Sequence, residues 1–222
     1  MGTIDKVWEE IHSTGSWGEY PPEHVIRFVA RNYYMSERKN VRILDFGCGQ
    51  GANTWFLARE GFDTYAFDGS ESAVIKARRK IANENLKCHF SVMDGTTIDY
   101  NENFFDAVID NACIYSNKYS DIMEMYKKIL YVLKPGGKLL TVCFGEDLEG
   151  YKTGEMVENG TYIDIKNGLL SHRGIAHIFT EDELYNLIET TGFQNVQVDW
   201  VRYSDNGNMV HQYICTAEKK YE

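Results

Sequence analysis

The stretch ILDFGCGQGANTWFLA, residues 43–58, constrains the chain more than any other. An apolar run stops at Asp45, glycines follow at positions 47, 49 and 51, and a helix-like pattern begins at Ala52. Glycine lets the backbone take positive φ and approach a ligand closely. The helix that follows offers free N–H groups and the positive end of its dipole. A strand, a glycine turn and a helix in that order make a ligand cradle at the carboxyl end of a parallel strand.

The surrounding sequence repeats the alternation. VRILDF (41–46), FDTYAFD (62–68), LKCHFSVMD (86–94), FFDAVID (104–110) and KLLTVCF (138–144) read as short buried strands. Helical spacing separates them at 52–60, 70–85 and 119–133, with Ser70 and Ser120 as candidate N-caps and Gly61 closing the first. PPEHVIRFVARNYY (21–34) adds a proline-initiated helix ahead of the first strand, and LKPGG (133–137) a turn before the fifth. The last third differs. A helix over 180–192, with Thr180 and Glu183 in the capping-box arrangement, precedes two strand-like runs at 193–204 and 208–219, joined by the hairpin signal DNGN. The expected fold is α/β: a Rossmann-like, doubly wound, mostly parallel seven-stranded sheet with an antiparallel C-terminal hairpin strand. One domain over 1–222 is expected, with 1–40 as a helical segment covering the site and the glycine-rich stretch 145–178 as a lid or substrate cap.

Bulk properties narrow the partners. The net charge of −10 repels phosphate backbones, so nucleic acid is not expected as a substrate. The five cysteines form no C-x-x-C pair, which fits neither a disulfide framework nor a zinc site, and no metal is expected. MGTIDKVWEEIHS at the N-terminus carries acidic residues and no apolar core, unlike a secretory leader, and no apolar run approaches the roughly 18 residues of a membrane span. A cytoplasmic monomer or homodimer acting on a small molecule, away from membranes, is the expectation.

The glycine turn admits two readings. Gly47, Gly49 and Ala52 satisfy the dinucleotide fingerprint G-x-G-x-x-G/A, and Asp68 lies 68 − 47 = 21 residues on, where a ribose-binding acid belongs. Alternatively, Asp45-x-Gly47-x-Gly49-x-Gly51 resembles the first motif of the class I S-adenosylmethionine-dependent methyltransferases. YAFDGS (65–70), VMDGT (92–96), FFDAVIDNACIY (104–115) and LKPGGKLLTV (133–142) resemble that family's later motifs in order, and the terminal hairpin suits its antiparallel strand. An NAD-binding oxidoreductase and a non-catalytic protein of the same fold remain as alternatives.

The resemblance implies S-adenosyl-L-methionine as cofactor, S-adenosyl-L-homocysteine as product, and direct displacement onto an oxygen or nitrogen of a small acceptor. It places Asp45, Phe46, Gly47, Cys48, Gly49, Gly51, Asn53, Asp68, Gly69, Asp94, Gly95 and Asn111 around the cofactor. Two vicinal hydroxyls are two donors, which suits the Asp68 carboxylate, and the adenine amino group suits Asp94. An oxygen acceptor needs a general base, and His177, His172 and Tyr115 are the candidate catalytic residues. Trp17, Tyr20, Tyr115 and Arg173 are candidate substrate-binding residues. DNACIY lacks the Asn/Asp-Pro-Pro-Tyr tetrad of many enzymes that methylate amide or aromatic amino groups.

Overall fold

Strands buried on both faces must be covered by helices from both sides, and the alternation in the sequence supplies them. The computed structural model describes residues 6–221; residues 1–5 of the acidic N-terminal stretch, and residue 222, lie outside the described residues. The elements in order are α1 (Lys6–Thr14), α2 (Glu23–Tyr33), β1 (Arg42–Phe46), α3 (Ala52–Arg59), β2 (Asp63–Asp68), α4 (Glu71–Asn83), β3 (His89–Val92) and β4 (Phe105–Asn111). They continue with α5 (Tyr119–Val132), β5 (Leu133–Phe144), β6 (Glu155–Glu158), β7 (Thr161–Ile163), β8 (Ala176–His177), α6 (Glu181–Thr191), β9 (Phe193–Asp205) and β10 (Asn208–Lys219).

The main sheet has seven strands in the order β3-β2-β1-β4-β5-β10-β9. Strands β1 to β5 pair in parallel, and β10 runs antiparallel to both β5 and β9. The chain winds outward from β1 to β3 and then returns to the other side of β1 with β4. The switch point therefore lies between β1 and β4, where a crevice opens at the carboxyl ends of the strands. Register brings the strand ends level: Phe46 sits beside Phe67 on one side and Asp110 on the other.

Local chemistry sets the boundaries. Ser70 Oγ accepts the Ala73 N–H and caps α4, and Thr180 Oγ1 accepts the Glu183 N–H and caps α6. The reciprocal half of the α6 capping box is absent, because the Glu183 carboxylate turns instead toward His177. Ser120 does not cap α5. The cap is Lys118, and the exposed Tyr119 N–H is taken by Glu158 Oε1 at 2.8 Å from β6. The fifth strand begins earlier than expected, at Leu133. Phe105 pairs with Leu133 and Ala107 with Lys138, so the LKPGG residues bulge out of a ladder that resumes behind them. In the terminal hairpin Asn206 (φ 48°) and Gly207 (φ 85°) supply the positive-φ pair that a two-residue turn of this hand requires.

Residues 145–178 form more than a loop. Strands β6, β7 and β8 make a three-stranded antiparallel sheet. Leu148, Tyr151, Ile165 and Leu170 beneath it are buried in the same core as β4, β5, α5 and α6. The weak periodicity of the segment reflects two- and three-residue pairings that no period resolves.

Candidate ligand-binding cleft

The carboxyl ends of β1 to β4 open into a cleft. Of the residues expected to bind a ligand, Phe46, Gly47, Gly49, Asp68, Gly69, Asp94, Gly95 and Trp17 line it. Asp68, the last residue of β2, accepts the Gly49 N–H on Oδ2 and the Ser70 N–H on Oδ1, both at 2.8 Å. Each carboxylate oxygen keeps further acceptor capacity beyond one backbone bond, so the group can also take a pair of hydroxyl donors. Burial raises its pKa, and the two backbone N–H groups work against that rise. Asp94 accepts the Thr96 N–H at 2.9 Å and the Thr96 hydroxyl at 2.7 Å on Oδ1, which sets the carboxylate at the end of β3.

The glycines divide by role. A Cβ on Gly47 would stand 2.0 Å from Cys113 Sγ, so this glycine lets the loop after β4 pack against the loop after β1. A Cβ on Gly51 would stand 2.9 Å from Ala77 Cβ, so that glycine brings α3 against α4. Gly49 differs: at φ +51° its Cβ would point into the cleft, 3.6 Å from His12 Cε1 and 3.9 Å from Trp17 Cδ1. That is the position where bare backbone leaves room for a ligand.

Several expected contacts are corrected. Asp45 is buried behind the glycine turn and accepts Thr54 Oγ1 at 2.5 Å and Asn53 Nδ2 at 3.5 Å. Burial pushes its pKa up to about 6. Asp45, Cys48, Gly51 and Asn53 thus support the turn from behind and do not line the cleft. Asn111 directs its side-chain oxygen to His24 Nε2 on α2 at 2.8 Å. Tyr115 is buried with its ring edge-on to Phe144. His177, expected as a base, has no exposed surface; Thr161 Oγ1 sits 2.7 Å from its Nδ1 and Glu183 Oε2 is 3.3 Å from its Nε2. It is a core histidine that joins β7, β8 and α6. His172 is exposed beside a separate hollow formed with α1. Tyr20 is 75% exposed and lies edge-on to Trp55, outside the cleft. The Arg173 guanidinium lies 4.9 Å from the centre of the Trp17 ring, at the rim.

The structure also brings in residues that the sequence did not single out. Helix α1 and the strap to Trp17 close one side of the cleft. Trp8 donates Nε1–H to Ser116 Oγ at 2.8 Å, and the Trp8, His12 and Trp17 rings pack together. Glu9 accepts Ser70 Oγ at 2.5 Å and also the Ser72 hydroxyl at the start of α4. Lys76 Nζ donates to the carbonyls of His12 and Gly15 at 2.5 and 2.6 Å. Gln50, from the middle of the glycine turn, accepts the Trp17 N–H at 3.0 Å and donates to the Gly15 carbonyl at 3.1 Å. Those two backbone partners determine which end of the Gln50 amide is nitrogen. The same nitrogen stands 3.4 Å from His12 Nδ1, which must therefore accept, leaving the ring proton on Nε2. Burial lowers the pKa of His12, so the neutral ring prevails near neutral pH. Asp110, with no exposed surface at the end of β4, accepts the Cys113 and Ile114 N–H groups and Thr141 Oγ1. It positions the loop that presents Cys113, Ser116 and Asn117 to the cleft. The helical segment expected over 1–40 did not single out Trp8 or His12, because their i, i+4 spacing does not say what they pack on.

Comparison with known proteins gives a consistent picture. A family model described as a methyltransferase domain matches residues 43–137. Phosphoethanolamine N-methyltransferase 2 of Caenorhabditis elegans is 28% identical over 160 residues, covering 71% of this chain and 33% of that protein. A putative methyltransferase of Bacillus subtilis, YqeM, is 32% identical over 127 residues, 55% of this chain and 49% of that protein. The chain thus spans half or less of the length of these two curated relatives. Among solved structures, an S-adenosylmethionine-dependent methyltransferase from Methanosarcina mazei superposes with a TM-score of 0.73 at 26% identity, covering 87% of this chain and 98% of that one.

Proposed function

We propose, on the premise that this chain belongs to the class I S-adenosylmethionine-dependent methyltransferase family, that it transfers a methyl group from S-adenosyl-L-methionine to an oxygen or nitrogen of a small molecule. One observation carries the reading: Gly49, Asp68 and Asp94 stand together on one cleft at the switch point of the sheet. The residues fit the cofactor. The Asp68 carboxylate suits the two ribose hydroxyls, Asp94 suits the adenine amino group, and the bare backbone at Gly49 admits the methionyl chain. When bound, the cofactor supplies an electrophilic methyl group on a sulfonium.

The protein's share is orientation and exclusion of water. Trp8, His12 and Trp17 cover the cleft, and Phe46, Met93 and Met125 give it apolar walls. Ser116 and Asn117, after β4, are the polar groups on the acceptor side. The His12 Nδ1 lone pair is already taken by Gln50, so His12 acts as a hydrogen-bond donor in this arrangement rather than as a base. A small acceptor agrees with the net charge of −10 and with the C. elegans relative, which is a phosphoethanolamine N-methyltransferase. Among the described residues no helix is long and apolar enough to cross a membrane. We place the protein in the cytoplasm.

Titration calorimetry with S-adenosylmethionine and S-adenosylhomocysteine tests the reading. Binding of both, and its loss in Asp68→Ala, are expected. The reading fails if neither ligand binds, or if the variant binds them as the parent does.

A further inference from the structure

The rim of the cleft, beside Trp17, carries a guanidinium that meets no carboxylate among the described residues. Arg38 and Arg42, both partly buried, meet Glu60 and Asp63. Arg27, Arg59 and Arg202, all exposed, also meet carboxylates. Arg173 is partly buried, and among the described residues no carboxylate lies within ion-pair distance of it. A partly desolvated guanidinium without an ion pair has lost hydration that no carboxylate offsets.

The surroundings hold Arg173 in place. It lies between His172 (φ 57°) and Gly174 (φ 76°), two left-handed residues that turn the chain sharply. The next residue, Ile175, gives its carbonyl to Ser116 Oγ at 3.0 Å, and Ser116 also receives Trp8 Nε1–H. The guanidinium is thereby stacked over Trp17, a wall of the cleft. The segment that carries Arg173 runs along the loop after β4: Ser116 Oγ donates to the Ile175 carbonyl at 3.0 Å, and the His177 N–H donates to the Tyr115 carbonyl at 2.7 Å. Arg173 therefore lies at the rim on the side of Ser116, which is the side assigned above to the acceptor. A planar fork held over an aromatic ring is preorganised for the two oxygens of a carboxylate or a phosphate.

We propose that Arg173 is a specificity-determining residue, and that the methyl acceptor is a small molecule bearing an anionic group, a phosphate or a carboxylate, which pairs with this guanidinium. The proposal rests on the methyltransferase reading and narrows it: it states the charge of the substrate and the residue that selects for it.

The experiment needs no knowledge of the acceptor. Protein saturated with S-adenosylhomocysteine is titrated with inorganic phosphate and, separately, with acetate, by calorimetry and by tryptophan fluorescence. The parent should bind at least one anion, with phosphate and acetate separating the two sources of charge. Arg173→Ala should weaken that binding by about tenfold or more, and Arg173→Lys should recover part of it. Affinity for S-adenosylhomocysteine should stay within about threefold in both variants, and their thermal unfolding should match the parent. Absence of anion binding in the parent, or equal binding in Arg173→Ala, overturns the proposal. A parallel loss of S-adenosylhomocysteine affinity also overturns it, since Arg173 would then hold the cofactor's own carboxylate. Failure of the parent to bind S-adenosylhomocysteine at all strikes the methyltransferase reading instead.

Discussion

Alanine at three glycines separates backbone strain, packing and ligand room in this fold. Gly47, Gly49 and Gly61 all have positive φ, at 69°, 51° and 87°. An L side chain there costs about 1–2 kcal/mol in the left-handed region. Gly61, just beyond α3, has nothing within 4 Å of an added Cβ, so Gly61→Ala should show that strain alone. For a domain of this size 1 kcal/mol lowers Tm by roughly 2–4 °C, giving a drop of about 2–8 °C. Gly47→Ala adds a collision, because the new Cβ falls 2.0 Å from Cys113 Sγ and 2.5 Å from Cys113 Cβ. Overpacking of that kind adds about 1–3 kcal/mol, for a total near 2–5 kcal/mol. Gly49→Ala meets only ordinary contacts at 3.6 and 3.9 Å, so its stability should match Gly61→Ala. Its methyl group, however, enters the cleft, and affinity for S-adenosylhomocysteine should fall by about tenfold or more, some 1.4 kcal/mol. Urea titration gives the stabilities and calorimetry the affinities. Gly49→Ala binding like the parent, or Gly47→Ala no less stable than Gly61→Ala, contradicts these roles for the glycines.

Two further outcomes follow from buried groups. Burial raises the Asp110 carboxyl from its ordinary value to about 6, so the folded chain holds its proton more tightly than the unfolded one. Its contribution is complete below the unfolded value and is lost as pH rises through about 6, a change of about 3 kcal/mol at 1.36 kcal/mol per unit. The stability difference between the parent and Asp110→Asn should therefore move against the parent by about that amount between roughly pH 4 and 7; a difference that stays flat in urea titrations across that range contradicts it. His177→Asn should lower stability by about 1–3 kcal/mol, because Thr161 loses its buried hydrogen-bond partner and the ring's packing is lost. Methyl transfer measured well below Tm should survive within a few-fold, and a hundredfold loss of kcat in a folded variant would restore His177 as a catalytic group.

The site was legible where its chemistry is local. Asp68 ends β2 and Asp94 follows the end of β3 by two residues, each before a glycine, and both reach the cleft because parallel strands deliver their carboxyl ends to one edge. Asp45 was legible as a position but not as a role. The same acid-then-glycine pattern points a side chain either into a cleft or behind it, and the choice is made by Thr54, nine residues later in the chain (54 − 45 = 9). His177 misled because histidine chemistry does not reveal burial; the pairing of β7 with β8 closes over it. A helical segment over 1–40 was expected, but not which of its residues face the cleft, because the period of α1 shows an apolar face without showing the surface that face meets.

Hydrophobic periodicity and glycine punctuation, both local in the chain, determined the order of the main-sheet strands and their helices, the cradle and two of its carboxylates. Tertiary structure decided everything that depends on elements far apart in sequence. It tied Gln50 to Gly15 and Trp17, Trp8 to Ser116, and Arg173 to Trp17. Each of these contacts joins segments that the winding of the sheet brings together, and side-chain identity alone carries no record of which partner the winding will supply.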